Sequence, residues 1–376
     1  MTSSLSVSDQ LHRRVQETIT ESTKSGGWDL ADSLFDDLSR SLFEHQYSSC
    51  PPYRRFCDGR GITPFTLSRW EDIPAVPTEV FKSVDLFAFS ADEAQIVFLT
   101  SGTRFGNRGR HLLRTDATYL ASLAPGFDRF LLPEGSEKPL IYVLAPPVDV
   151  DPASSLSHML QWAHDQRGAP RSRFFWTPEG PDLDECASAL RAATSPVLLL
   201  STARAIQALL ETHDGAWVLP EGSVVMETGG PKTSGMKFDR RLFHDEVAAR
   251  LGLPAFSVVS EYGMTELGSQ GYSPSLLLHR GAAARESEVS LSADLHVFPP
   301  WCRVRALDPD DLTLLPEGKR GLLCFWDLSN VDSVLCVLTA DEGIVTERGV
   351  HLLGRSSSAS PRGCSLAVEE ILGGSA

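Results

Sequence analysis

The chain has 376 residues, 42% of them hydrophobic and 22% charged, the balance of a globular protein long enough for one large or two ordinary domains. A formal net charge of −15 argues against a nucleic-acid or anionic-membrane surface; no run reaches the roughly 18 apolar residues of a membrane span and the amino terminus lacks a signal-peptide core, so a cytoplasmic protein without membrane insertion is expected. Seven cysteines, an odd number without a CxxC pair, argue against a disulfide framework or a zinc site and fit a reducing compartment.

In chain order, residues from about Leu5 to Glu44 are expected to be helical, with Leu30, Leu34, Phe35, Leu38 and Leu42 on one face. Pro51-Pro52 and Gly59–Gly61 are read as breaking that face. Trp70 to Pro77 is expected to be extended, with Thr78 capping a short helix over 79–82. Ile96–Leu99 reads as a short buried strand that runs into Thr100, Ser101, Gly102, Thr103, Arg104 and then Gly106, Asn107, Arg108, Gly109 and Arg110. Bare backbone, hydroxyls and guanidinium groups suit phosphate, and Arg104, Arg108, Arg110 and Arg114 would concentrate positive charge in an acidic protein. Without a Gly-Lys-Ser/Thr ending it is not a Walker loop, and the plain alternative is a polar turn between two strands.

Further strands of parallel-sheet type are expected at Pro139 to Leu144, Ser195 to Ser201, Val224 to Glu227 and Ser257 to Ser260. Helices are expected from Asp116 towards Phe130, from Ser154, over Leu183 to Ala193, over Thr202 to Glu211 and over Asp239 to Leu251. Strands alternating with helices argue for an α/β sheet whose loops gather at one edge. From Leu291 the texture turns to short strands and turns, including Cys302 to Arg305, Gly321 to Trp326 and Val331 to Leu338, read as a small antiparallel barrel or distorted sheet.

Four stretches stand out in order: TSGT at 100–103, TGGPK at 228–232, YGMTE at 262–266, and TADEG at 339–343 followed by GR at 354–355. Together they resemble the acyl-adenylate-forming superfamily, and the ETGGPK…EYGMTE spacing with the ending RGCSL at 362–366 is most similar to LuxE-type acyl-protein synthetases. The resemblance implies the amino-terminal domain fold of adenylate-forming enzymes: layered α/β sheets plus a small distorted β-barrel, with a very short carboxy-terminal segment replacing the usual mobile domain. The implied division is a helical region at 1–90, an α/β core at 91–290, a β-rich subdomain at 291–355 and a tail at 356–376.

The resemblance also implies roles. Thr100, Ser101, Gly102, Thr103 and Arg104 would hold the ATP phosphates; Gly229, Gly230 and Pro231 would bed the adenine, with Tyr262, Gly263 and Met264 beside it. Thr265 would donate to the α-phosphate, Glu266 would hold Mg²⁺, Asp341 would accept from the ribose hydroxyls, and Arg355 matches the ribose or hinge arginine. His158 and Gly263 would line the acyl pocket. Cys364 matches the cysteine that accepts the acyl group, and Arg362 with a flexible glycine–serine setting would favour an accessible thiolate. No lysine follows Lys319, so the superfamily's carboxy-terminal lysine has no counterpart.

Each residue has a plainer reading: a capping pair for Thr265 and Glu266, a turn aspartate for Asp341, a helix-capping histidine for His158, an idle tail thiol for Cys364. The expected function is ATP-dependent activation of a carboxylic acid, with a fatty acid favoured and an aryl acid left open, to an acyl-adenylate. Transfer to Cys364 would follow, then hand-over to an acyl-CoA-reductase-like partner or a carrier protein. The rivals are an acid–CoA or acid–carrier-protein ligase and a non-catalytic nucleotide-binding scaffold.

Overall fold

A computed structural model describes residues 5–100, 108–132, 138–230, 239–280, 293–356 and 362–372. The chain divides into two units. The first comprises Met1–Pro125, Met264–Gln270 and Phe298–Ala376, and the second Gly126–Gly263 and Gly271–Val297.

The second unit is built on a six-stranded sheet in the order Gly271–Tyr272, Val258–Tyr262, Val224–Thr228, Val197–Thr202, Leu140–Leu144, Arg173–Phe174. All neighbours are parallel except the Gly271–Tyr272 edge. Continuous apolar strands such as Leu140–Leu144, buried at every position, need helices to cover them. Ala203–Thr212 and Arg240–Leu251 supply Ile206, Leu209, Val247 and Leu251 to that core. Ser154, Thr202 and Asp239 each cap a helix by accepting a backbone N–H of the first turn.

The first unit begins with helices Val7–Thr23, Asp32–Ser49 and Pro51–Gly59. The second helix ends at Ser49, just ahead of Pro51-Pro52 as expected, and the same prolines open the third helix. Proline at the first helical positions lacks only an N–H that has no intrahelical acceptor there. Thr78–Lys82 is a 3₁₀ turn without a side-chain cap, so the expected Thr78 cap is absent. Its lead-in Val76–Pro77 pairs in parallel with Val337 and Leu338.

Strands Cys302–Leu307, Arg320–Asp327, Cys336–Thr346 and Gly349–Arg355 form an antiparallel meander. The expected barrel is an open sheet among the described residues: Cys302–Leu307 and Gly349–Arg355 do not pair with each other. Val331 to Val334, expected as strand, form a buried loop instead. Gln46, itself buried, holds that loop by donating to the Asn330 carbonyl at 2.7 Å and accepting from the Leu335 N–H at 2.9 Å.

Ile96–Leu99 pairs only with Arg110–Leu113, as an antiparallel hairpin of the first unit. Phe98 is buried, but Val97 is 38% exposed, so the strand is half-buried and is no member of the parallel sheet.

Asp332 anchors the amino-terminal helix to this unit. It accepts from Ser8 at 2.6 Å, His12 at 2.7 Å and Arg114 at 3.4 Å, with His45 3.5 Å away. Burial opposes its charge, yet the hydrogen bond from His12 and the nearby His45 hold the carboxyl far below its ordinary 3.8. A depressed carboxylate contributes stability in full above the unfolded-state value and loses it as pH falls through the folded one. Asp332→Asn is therefore expected to cost about 3 kcal/mol at pH 7, since it removes the charged acceptor that Ser8, His12 and Arg114 share in a largely buried network. The difference from wild type should shrink in denaturant titrations carried below pH 4.

Candidate active site

In the first unit the segment Met264–Gln270 carries Thr265 and Glu266 and is clamped from three directions. His111 donates from Nδ1 to the Thr265 carbonyl at 2.6 Å. Asn330 donates to the Glu266 carbonyl at 2.9 Å. Asp327, wholly buried at the end of its strand, accepts from the Gly268 and Ser269 N–H groups at 3.0 and 2.9 Å. Gly268 is required here, because a Cβ would sit 2.4 Å from Ser329 Oγ. Backbone groups of a loop need partners somewhere, and this loop takes them from residues remote in sequence.

Glu266 is 7% exposed. Burial pushes its carboxyl up to about 7 and Glu79 adds to this, while its own backbone N–H, Lys82 and Arg355 pull it down. A carboxylate so placed has strong reason to take a cation, which fits the Mg²⁺ role. Asp341 lies in the strand Cys336–Thr346, opposite Arg355, with Arg355 Nε 3.7 Å from its Oδ1. It is therefore a strand residue and not a turn aspartate.

Thr100 closes the hairpin base: its Oγ1 accepts from the Gly109 N–H at 2.8 Å. Ser101, Gly102, Thr103 and Arg104 lie outside the described residues, as does Pro231. Of the arginines expected to gather phosphate charge, the three among the described residues are engaged elsewhere. Arg108 donates to the Thr100 and Leu99 carbonyls, Arg110 pairs with Asp85, and Arg114 pairs with Asp9 and Asp332. Local arginine density in the sequence does not convert into free charge once acidic residues from distant segments fold against it.

Cys364 departs most from expectation. It lies in the helix Arg362–Leu372, with Cys364, Ala367 and Ile371 buried against Pro51–Gly59, Val76–Pro77 and Thr78–Lys82. Arg60 pairs with Glu370 at 2.8 Å. Burial pushes the thiol up to about 12, and Glu79 and Cys324 push the same way. The accessible thiolate expected from the sequence is a buried thiol in this arrangement, because the tail's apolar positions recur at helical spacing and dock.

In the second unit the adenine-cradle residues sit at the ends of adjacent strands. Thr228 pairs in register with Glu261 and donates to its carboxylate; burial raises Glu261 to about 7. Gly229 has φ +75°, with open space where a Cβ would project, and Gly230 is exposed. Arg240 donates to the Gly229 carbonyl at 3.1 Å and to Glu227 at 2.9 Å, and His244 meets the same Glu227 oxygen at 3.1 Å. Burial alone would push Glu227 up, but His244 and Arg240 hold it below the ordinary value. Tyr262 packs its ring against His296, whose imidazole burial pushes down to about 3. Gly263 is exposed and Met264 half-buried. His158 donates from Nε2 to the Pro152 carbonyl at 3.1 Å, just ahead of its own helix.

A family model described as "Acyl-protein synthetase, LuxE" matches residues 195–373. Over these residues the chain is similar to the LuxE acyl-protein synthetase family. The match includes the TGGPK, YGMTE and TADEG stretches and Cys364, and stops short of the TSGT hairpin. The chain is similar to the long-chain-fatty-acid–luciferin-component ligase of Vibrio harveyi, 35% identical over 79 residues, or 19% of this chain and 21% of that protein. It is also similar to the ligase of that name from Photorhabdus luminescens, 30% identical over 76 residues, 20% of this chain and 65% of that one. The match thus spans about a fifth of the Vibrio relative. Among solved structures, an open conformation of 2-hydroxyisobutyryl-CoA ligase in complex with 2-HIB-AMP and CoA superposes with TM-score 0.61 at 15% identity, covering 88% of this chain and 72% of that one. The fold is that of adenylate-forming enzymes. Among the described residues no helix is long and apolar enough to cross a membrane.

Sequence reading missed His111, Asn330, Asp327 and Arg240, and took Glu227 only as the first residue of the ETGGPK stretch. Only the last two could have been suspected, Glu227 as a charge inside an apolar strand and Arg240 as the residue after a capping aspartate.

Proposed function

We propose that the chain activates a carboxylic acid with ATP and passes the acyl group to a thiol. The observation that carries this reading is the clamped segment that presents Thr265 and the buried Glu266, within the part of the chain that matches the LuxE family. The acid's carboxylate oxygen attacks the α-phosphorus, the bond from that phosphorus to the bridging oxygen breaks, and pyrophosphate leaves. Thr265 would donate to the α-phosphate as charge builds there; Thr100 and the loop 101–104 would receive the β- and γ-phosphates. Gly229, Gly230, Pro231 and Tyr262 would bed the adenine. Asp341, oriented by Arg355, would accept from the ribose hydroxyls. Glu266 would hold Mg²⁺, which supplies charge neutralisation at the phosphates. Little proton transfer is needed, so positioning dominates.

In the second half-reaction the Cys364 thiol loses its proton to solvent, the sulfur attacks the acyl carbon, and the bond to AMP breaks. With the thiol buried, this requires the helix Arg362–Leu372 to leave its seat. Hand-over to a reductase-type partner or carrier protein would follow. His158 and Gly263 are carried as acyl-pocket residues, and a long-chain fatty acid is the favoured substrate by similarity to the luminous-bacterial ligases.

Burial of Cys364 favours one alternative, in which CoA or a carrier thiol takes the acyl group directly. Acid-dependent exchange of pyrophosphate into ATP, measured over a panel of fatty and aryl acids, tests the shared first half-reaction. Exchange with at least one acid is expected; none with any acid, despite ATP binding, would leave a nucleotide-binding scaffold.

A further inference from the structure

His111 lies on the hairpin strand Arg110–Leu113, 2% exposed and 154 residues from Thr265 in sequence. A carbonyl oxygen only accepts, so the 2.6 Å contact with Thr265 places the proton on Nδ1 and leaves Nε2 as a lone pair. Among the described residues Nε2 meets no hydrogen-bond partner. His111 lines a small, mostly apolar pocket together with Phe98, Leu113, Leu267 and Asn330, and Phe81 packs edge-on against its ring. A buried histidine that makes a single short bond, to the carbonyl of the residue before Glu266, does little for the hairpin itself.

The geometry points to His111 as the positioning residue of the Thr265–Glu266 segment: its Nδ1–H fixes the Thr265 peptide plane and so the aim of the Thr265 hydroxyl and the Glu266 carboxylate. This rests on the adenylation reading for its consequence in catalysis, though the clamp itself does not. Supporting groups behind a reacting shell are commonly worth about 10–100-fold in activity.

Asparagine and glutamine separate this role from packing. The amide nitrogen of Asn reproduces Nδ1, that of Gln reproduces Nε2, and Leu reproduces neither. His111→Asn is expected to keep pyrophosphate exchange within about threefold of wild type, while His111→Gln and His111→Leu lose about 10–100-fold in kcat at similar KM for ATP. Amide hydrogen exchange on the same proteins gives a readout independent of activity. The Leu267 N–H, bonded to the Met264 carbonyl, should lose protection in His111→Leu and His111→Gln but not in His111→Asn. Exchange kinetics that rank the three variants alike, with Leu267 protected in all, would overturn the inference. If wild type exchanges no pyrophosphate with any acid, the functional reading fails, and the amide protection pattern still decides the role of His111.

Discussion

Replacing Glu266 by Gln is expected to lower acid-dependent pyrophosphate exchange by about 10²–10³-fold, the usual cost of removing a group that stabilises charge at the reacting centre. The same variant should fold at least as well as wild type. Wild-type Glu266 is raised to about 7 from an ordinary 4.5, first by burial and then by Glu79. Below 4.5 the carboxyl is neutral in both folded and unfolded chains and costs nothing. Between 4.5 and 7 the unfolded chain ionises first, so the folded state loses stability as pH rises. Glu266→Gln removes that loss, while the similar slope from Glu261, also raised to about 7, stays in both proteins. Thermal melts at pH 5 and pH 8 check the sign: the variant gains on wild type at pH 8. A variant that retains exchange, or one that melts far lower at pH 8, would remove Glu266 from the proposed role.

The second large effect concerns Cys364. Cys364→Ser is expected to keep pyrophosphate exchange within about twofold and to abolish any hydroxylamine-labile acyl-enzyme, since only the second half-reaction uses the sulfur. The resting thiol, pushed up to about 12, should alkylate very slowly: at pH 8 its thiolate fraction is about 10⁻⁴. Ala367, fully buried on the same helix face, offers a way to unseat the helix. Ala367→Asp places a charge in that apolar contact and is expected to speed iodoacetamide labelling of Cys364 at least tenfold by exposing it. Peptide mapping after timed labelling measures both rates. Fast labelling in wild type would contradict the docked arrangement.

The parts of the fold that could be read from the sequence are those in which local pattern and tertiary environment agree. Residues 197–200 and 224–226 are unbroken apolar runs buried on both faces, and Ser154, Thr202 and Asp239 cap helices because a short polar side chain beside a first turn has few better uses. Ile96–Leu99 misleads because four apolar residues look alike in a central strand and in a half-buried hairpin. The Val331–Val334 loop misleads for the opposite reason: its burial is imposed by Gln46, nearly three hundred residues earlier in the chain.

The site was legible as motifs and illegible as geometry. Glu266 and Asp341 could be named from their stretches, but the clamp of His111, Asn330 and Asp327 joins segments that no spacing connects. The arginine-rich loop shows the same limit. Arg110 and Arg114 read as phosphate ligands until Asp85, Asp9 and Asp332 arrive from elsewhere. Cys364 was placed in a flexible tail because Gly and Ser surround it, although the spacing of Cys364, Ala367 and Ile371 already carried a helical face.

The central claim is that this chain adenylates a carboxylic acid and then carries the acyl group on Cys364. Intact-mass measurement after incubation with ATP, Mg²⁺ and a panel of fatty and aryl acids tests it most directly. The account predicts a mass gain of one acyl group, mapped to Cys364 and released by hydroxylamine. Pyrophosphate release with the protein mass unchanged, and the acyl group recovered on CoA or a carrier, would contradict it.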